Sequence, residues 1–440
     1  MTKKAFKSAM LRGLGRCVIA VRQEPEKYRD LVFWACQRNI AYDAQCEGSR
    51  SWYVYTMASV YPNKEPFIAA AADALRKCPL HRGWDLLYLS ELLIFFSEDV
   101  GRPARKAVVD KYREVLAKMF ARKRRAYPVF HELAALEQLG LVLSTSPGPF
   151  LRACSDFGKL YGQKPFLEDG DFEWFFNTKG KIFRADMKRA AKKDGDIARF
   201  LQREQAFADE WAAKTERWKQ QRETVSPETL TGYALSRWLA KKADPETMEH
   251  YAEIYRKQAE PELRAAALEA FSTCRYPGNP EPIIEDADSP CENLQNAAWR
   301  ALENIRHPAV RDFALASGNR ESRASEIFSL LVTNYQPKDA PILEAYLNRW
   351  INEKDWDSFH AAGHDIHRAF DPGSGIPHPK HLLPILYTYN PCSFCREYTL
   401  HHLAKHKMLT QEILTECLYD SNEDIRRYAE KQMMKKEKPK

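Results

Sequence analysis

Strand signals are nearly absent from this chain. Few runs alternate apolar with polar residues, and no Asn-Gly or Asp-Gly turn is flanked by β-branched residues, so there is little from which to build a sheet. Long apolar runs are missing too. The most apolar stretch, Leu86 to Phe96, covers about half a membrane span and is interrupted by Ser90 and Glu91; it reads as a buried helix and argues against a membrane partner. Cysteines are sparse: ten in 440 residues lack the density and short spacing of a disulfide framework and suit a reducing compartment. The expected location is the cytoplasm, because Arg12 and Arg16 break the apolar run that a secretory signal needs. An amphipathic first helix accounts for Lys3, Lys4 and Lys7. The charge imbalance is small. A formal +7 permits contact with an acidic partner but falls far below the charge density of a dedicated nucleic-acid binder. No Walker loop, Gly-rich dinucleotide fingerprint, nucleophile elbow or HExxH motif occurs, so no catalytic residue is assigned and no motif calls for a cofactor.

What remains is helix. Pro, Gly, Asn and Asp recur about every 12 to 20 residues, and the segments between them carry apolar residues at i, i+4, i+7 and i+11. From Leu263 the apolar stripe continues at Ala267, Ala270, Phe271 and Cys274. Leu294 opens the same series at Ala298, Ala301, Leu302 and Ile305. Ala324, Phe328, Leu331 and Val332 make a third copy, Phe359, Gly363, Ile366 and Phe370 a fourth, and Ile425, Ala429 and Met433 a last. Anchors some 30 to 36 residues apart mean one helix pair per unit, and a single pair cannot bury its stripe alone.

Asp420, Ile425, Arg426 and Ala429 in DSNEDIRRYA, and Glu262-Leu263-Arg264 with Ala267, resemble the start of the second helix in HEAT repeats. The resemblance covers about 245 to 434. It implies an all-α fold, an α-α superhelix of the HEAT or armadillo-like kind, working as a macromolecule-binding scaffold or adaptor through its concave surface. A protein is the expected partner.

Three stretches are expected: an aromatic-rich helical domain over 1–150, an irregular segment with a long polar helix over 151–226, and the repeats over 227–440. Ser226-Pro227-Glu228 is a good helix start. Trp211 and Trp218, seven apart on the long helix, share a face expected to pack on the repeats.

Four constellations are candidates for function. The polar interruption from Tyr42 to Arg50 could form a ligand pocket, with Asp43, Gln45, Glu47 and Arg50 converging and Trp52 and Tyr53 as a wall. The position after each anchor, Arg264, Gln295, His360, Arg396 and Arg426, would line a solenoid's partner-binding row. Arg122, Lys123, Arg124 and Arg125 form the strongest basic run, which could touch phosphates weakly and without sequence preference. Finally, eight of the twelve histidines lie between His360 and His406. His360 and His364 stand at the helical spacing of zinc ligands, and with His378 or His381 from the following loop they could hold zinc or iron, giving a metal-dependent enzyme as a rival reading. Cys392 and Cys395 form a CxxC without the strand that a thioredoxin motif needs.

Overall fold

The computed structural model describes residues 1–124, 129–168, 170–224 and 226–437. Every regular element among them is a helix. Local chemistry sets many of the starts. Thr2, Asp244, Asp355 and Thr410 accept backbone N–H bonds in the first turns that follow them. Proline opens the helices Pro25–Ala35, Pro245–Lys257, Pro261–Leu268 and Pro308–Ala316, where its missing N–H costs nothing. No helix among the described residues is long and apolar enough to cross a membrane.

The chain forms two compact units. One comprises residues 221–391 and 395–409; the other comprises 1–220, 392–394 and 410–440. In the first of these, helices pack as consecutive pairs: Pro245–Lys257 on Pro261–Leu268, Glu281–Asp286 on Glu292–Leu302, Pro308–Ala316 on Ala324–Thr333, and Ala340–Glu353 on Trp356–Arg368. The second members of the pairs lie side by side in chain order. Leu294, Ala298, Ala301, Leu302 and Ile305 are buried, as are Ala324, Phe328, Leu331 and Val332, and then Phe359, Gly363, Ile366 and Phe370. Asparagines reinforce the stacking. Asn304 Nδ2 donates to Phe271 O and Ser272 O, and Asn334 Nδ2 donates to Ile305 O at 3.0 Å, so each ties the end of its helix to the one before. Leu263 departs from the expected stripe, with 53% of its surface exposed, and Ala265 and Leu268 face the core in its place. The helix Gly232–Lys242 packs on the 3-10 turn Glu269–Phe271 that follows.

In the other unit the helices Ser51–Ala58, Glu65–Lys77, Gly83–Val100, Arg102–Ala121 and Val129–Leu143 pack on one another around one apolar core. The last two helices of the chain, Gln411–Cys417 and Glu423–Glu437, belong here too. Arg16 Nε donates to Glu416 Oε1 at 2.7 Å, and the Ser421 amide donates to Gly13 O at 2.9 Å. Glycine permits this approach. Gly13 has φ +74°, and a Cβ on Gly15 would fall on the Glu416 carbonyl oxygen and 2.9 Å from the Tyr419 carbonyl carbon. Trp211 and Trp218 are 45% and 42% exposed, and their rings meet edge to face with the Lys214 ammonium over both. The two rings cover each other.

Candidate functional site

A cavity of about 560 Å³ opens in the unit that holds the N-terminus. Its walls come from five stretches: Glu47 to Trp52, the Leu87–Phe95 face of the helix Gly83–Val100, Leu141 and Val142, Trp174 to Lys179, and Ser421 to Arg426; Phe394 completes them. Trp52, Phe95, Trp174 and Phe394 supply aromatic surface, and Trp174 and Phe394 keep more than two-fifths of theirs in solvent. Glu91 and Lys179, Glu423, Asp424 and Arg426 supply charge. Size, apolar walls and a few polar groups are what a binding pocket needs.

The polar interruption builds one side. Asp43 accepts from the amides of Gln45 and Cys46 and so caps the short helix Ala44–Glu47. Gln45 is exposed on that helix and does not line the cavity. Arg50 is only 2% exposed; Nη2 donates to Glu47 Oε2 at 2.5 Å, and Nη1 to the carbonyls of Leu11 and Ile40. The Ser393 amide donates to the other Glu47 oxygen at 2.9 Å. Tyr53 is buried, its hydroxyl donating to Leu14 O. Of the six expected pocket residues, Glu47 and Trp52 line the cavity, and Asp43 and Arg50 hold the loop in shape. Tyr53 faces the core because it follows Trp52 by one residue, about 100° around the same helix.

Opposite stands a less regular element. The helix Glu173–Phe175 runs into a π-helical turn, Phe176–Gly180, a geometry often found at functional sites, and this turn brings Thr178 and Lys179 to the cavity. Partial burial pulls the Lys179 ammonium below its ordinary pKa, and the charge of Glu91 opposes that. Glu91 accepts from Ser51 Oγ at 2.8 Å. Arg426 lies over Trp52, its guanidinium carbon 3.7 Å from the ring centroid, and donates to the carbonyls of Asp420 and Ser421. Sequence reasoning did not assign Glu91, Lys179 or Phe394 to a site. For Glu91 a signal existed, an acid in the middle of the most apolar run; for Lys179 and Phe394 there was none.

Glu137 anchors the π-helical turn from behind, accepting from the Phe175 amide at 2.8 Å. Burial pushes its carboxyl up to about 7, the Phe175 bond opposing and the Glu204 charge adding to the rise. Folding therefore favours the protonated acid. Stability should fall as pH rises from about 4.5, the unfolded value, to about 7, and level off above it. Glu137→Gln keeps the acceptor and removes the ionisation. In urea unfolding it should match the wild type near pH 4 and exceed it at pH 8, by at most about 3 kcal/mol; equal stabilities at pH 8 would contradict the assignment.

The expected partner row is spent inside the protein. Arg264 pairs with Asp286 at 2.6 Å and stacks on Tyr255. Gln295 accepts from Arg323, His360 lies 3.1 Å from Cys395 Sγ, and Arg396 is wholly buried. One residue past the anchor is about 100° around from the stripe, so these side chains turn to neighbouring elements: Arg264 to Asp286 and Tyr255 on first helices, Gln295 to Arg323 in the turn Glu321–Arg323. Arg426 alone among them lines the cavity. In the basic run, Arg122 forms a two-bonded pair with Glu132, Lys123 and Arg124 are exposed, and Arg125 lies outside the described residues.

The histidine ridge is regrouped. His360 and His364 lean together, ring centroids 4.7 Å apart, and Cys395 Sγ stands 3.1 Å from His360 Nε2 and 3.6 Å from His364 Nε2. The loop histidines go elsewhere. His378 packs on Phe370 and His406, while His381 lies 3.9 Å from Glu344 and stacks on Tyr335. The third donor beside His360 and His364 is thus a cysteine from the adjoining helix and not a loop histidine. No protein-family model matches the chain, and no curated protein matches it in sequence.

Proposed function

We propose that this chain is a cytoplasmic binding protein of the HEAT or armadillo-like kind, a scaffold or adaptor whose stacked helix pairs form an α-α superhelix and whose N-terminal cavity seats part of a protein partner. The observation that carries the reading is the cavity: about 560 Å³, aromatic on its walls, with acids and cations at separate points. Such a lining suits an amphipathic peptide element, whose apolar side chains would meet Trp52, Phe95, Trp174 and Phe394 and whose polar ends would meet Glu91, Lys179 and Glu423.

Affinity capture from native lysate should recover a partner with wild-type protein and lose it with Trp174→Ala and Phe394→Ala combined. Both side chains are well exposed, so the variant should keep its circular dichroism and thermal midpoint. Equal recovery by the variant would sink the proposal. Nucleic acid is the weaker alternative, since Arg122 is already paired and Arg396 buried. Duplex or RNA binding is expected to be weak and lost above roughly 200 mM salt.

A further inference from the structure

Outside the cavity, the strongest convergence of reactive side chains is on two neighbouring helices of the 221–391 and 395–409 unit. His360 and His364 lie one turn apart on Trp356–Arg368, which places both imidazoles over the same edge of the helix. Cys395, on the helix Ser393–Lys405, brings its sulfur to both: 3.1 Å from His360 Nε2 and 3.6 Å from His364 Nε2. We propose that His360, His364 and Cys395 form a binding site for a thiophilic divalent cation, zinc above all.

The two sulfur–nitrogen distances lie near those around a shared ion. With zinc about 2.3 Å from sulfur and about 2.0–2.1 Å from nitrogen, a tetrahedral ion separates the two donors by about 3.6 Å. The His364 spacing meets that, and the His360 spacing needs an opening of a few tenths of an ångström. A neutral thiol has one proton to give, so it can donate to only one of the two rings. A thiolate on an ion satisfies both contacts at once: each imidazole gives a nitrogen lone pair, and the thiol proton passes to solvent on binding. Mixed imidazole and thiolate donors select zinc over magnesium or calcium.

Neighbouring groups fix which histidines take part. His367, one turn further along, has its Nε2 2.9 Å from Thr399 Oγ1, and that hydroxyl donates to Cys395 O at 2.9 Å. The hydroxyl's single proton is spent there, so His367 Nε2 donates to Thr399 and is not available as a ligand atom. The same Thr399 hydroxyl holds the turn that carries Cys395, which makes it a positioning residue for the sulfur. His402 is stacked on Phe370 with ring centroids 4.6 Å apart. Cysteine and two histidines leave a fourth tetrahedral position for water.

Cobalt(II) is the probe, because a thiolate ligand announces itself by a charge-transfer band in the near ultraviolet. Untagged, reduced protein titrated with cobalt should develop that band at one ion per chain, and stoichiometric zinc should erase it. His364→Ala changes an exposed residue and should weaken zinc at least about 100-fold while leaving circular dichroism unchanged. Cys395→Ser should abolish the band, and His378→Ala with His381→Ala should leave it intact. A spectrum without the band in the wild type, or one that persists in Cys395→Ser, would overturn the proposal.

Discussion

Arg50→Met is expected to destabilise the N-terminal unit by about 3–5 kcal/mol, enough to unfold many domains outright. The guanidinium is 2% exposed and serves three acceptors, Glu47 and the carbonyls of Leu11 and Ile40. Removing it strands two carbonyls and leaves the Glu47 carboxylate, itself 1% exposed, without its counter-charge. Glu47→Gln in the same protein should restore part of the loss, because the amide removes the stranded charge and still accepts from the Ser393 amide. Urea unfolding of the two single variants and the double closes the cycle. Additive losses would mean that the pair is not coupled and that Glu47 is held by other groups.

Gly15→Ala should have the other large effect, about 3 kcal/mol or more, at the upper end of what overpacking costs. The new methyl would meet backbone, the Glu416 carbonyl and the Tyr419 carbonyl carbon, and backbone cannot rotate aside. Gly13→Ala makes the comparison. Its Cβ would meet Ser421 Oγ, which can turn, but it would also stand 2.6 Å from Ser421 Cβ, which cannot, and the φ of +74° adds about 1 kcal/mol, so a loss of similar size is expected. Because the strain lies where Gln411–Cys417 joins the first helices, Gly15→Ala should expose residues 411–437 to protease before the rest of the chain. Uniform cleavage in the variant would contradict that placement.

Helix was legible because it depends on short-range periodicity. The series from Leu294, Ala324 and Phe359 is buried as its spacing implies, since a stripe at i, i+4, i+7 has nowhere to go but a core. The surface beside the stripe was not legible. Arg264, Gln295, Arg396 and His360 are polar, and polarity alone does not say whether a side chain meets water or the next helix. The cavity was half legible. The Tyr42–Arg50 interruption marks one wall, and Glu91 inside an apolar run marks another. Their meeting with Lys179 and Arg426 depends on a return of the chain end across 400 residues, as between Arg16 and Glu416, which leaves no local trace. The His360, His364 and Cys395 cluster failed to emerge for the same reason: the helix-borne pair is visible in spacing, and its sulfur neighbour comes from a different helix, Ser393–Lys405.

Hydrogen exchange of the protein with its captured partner tests the central claim most directly. The account predicts protection at Glu47–Trp52, Leu87–Phe95, Trp174–Lys179 and Ser421–Arg426, the stretches that wall the cavity, with little change along the helix pairs between 245 and 368. Protection confined to those helix pairs, with the cavity walls exchanging as in the unbound protein, would contradict it.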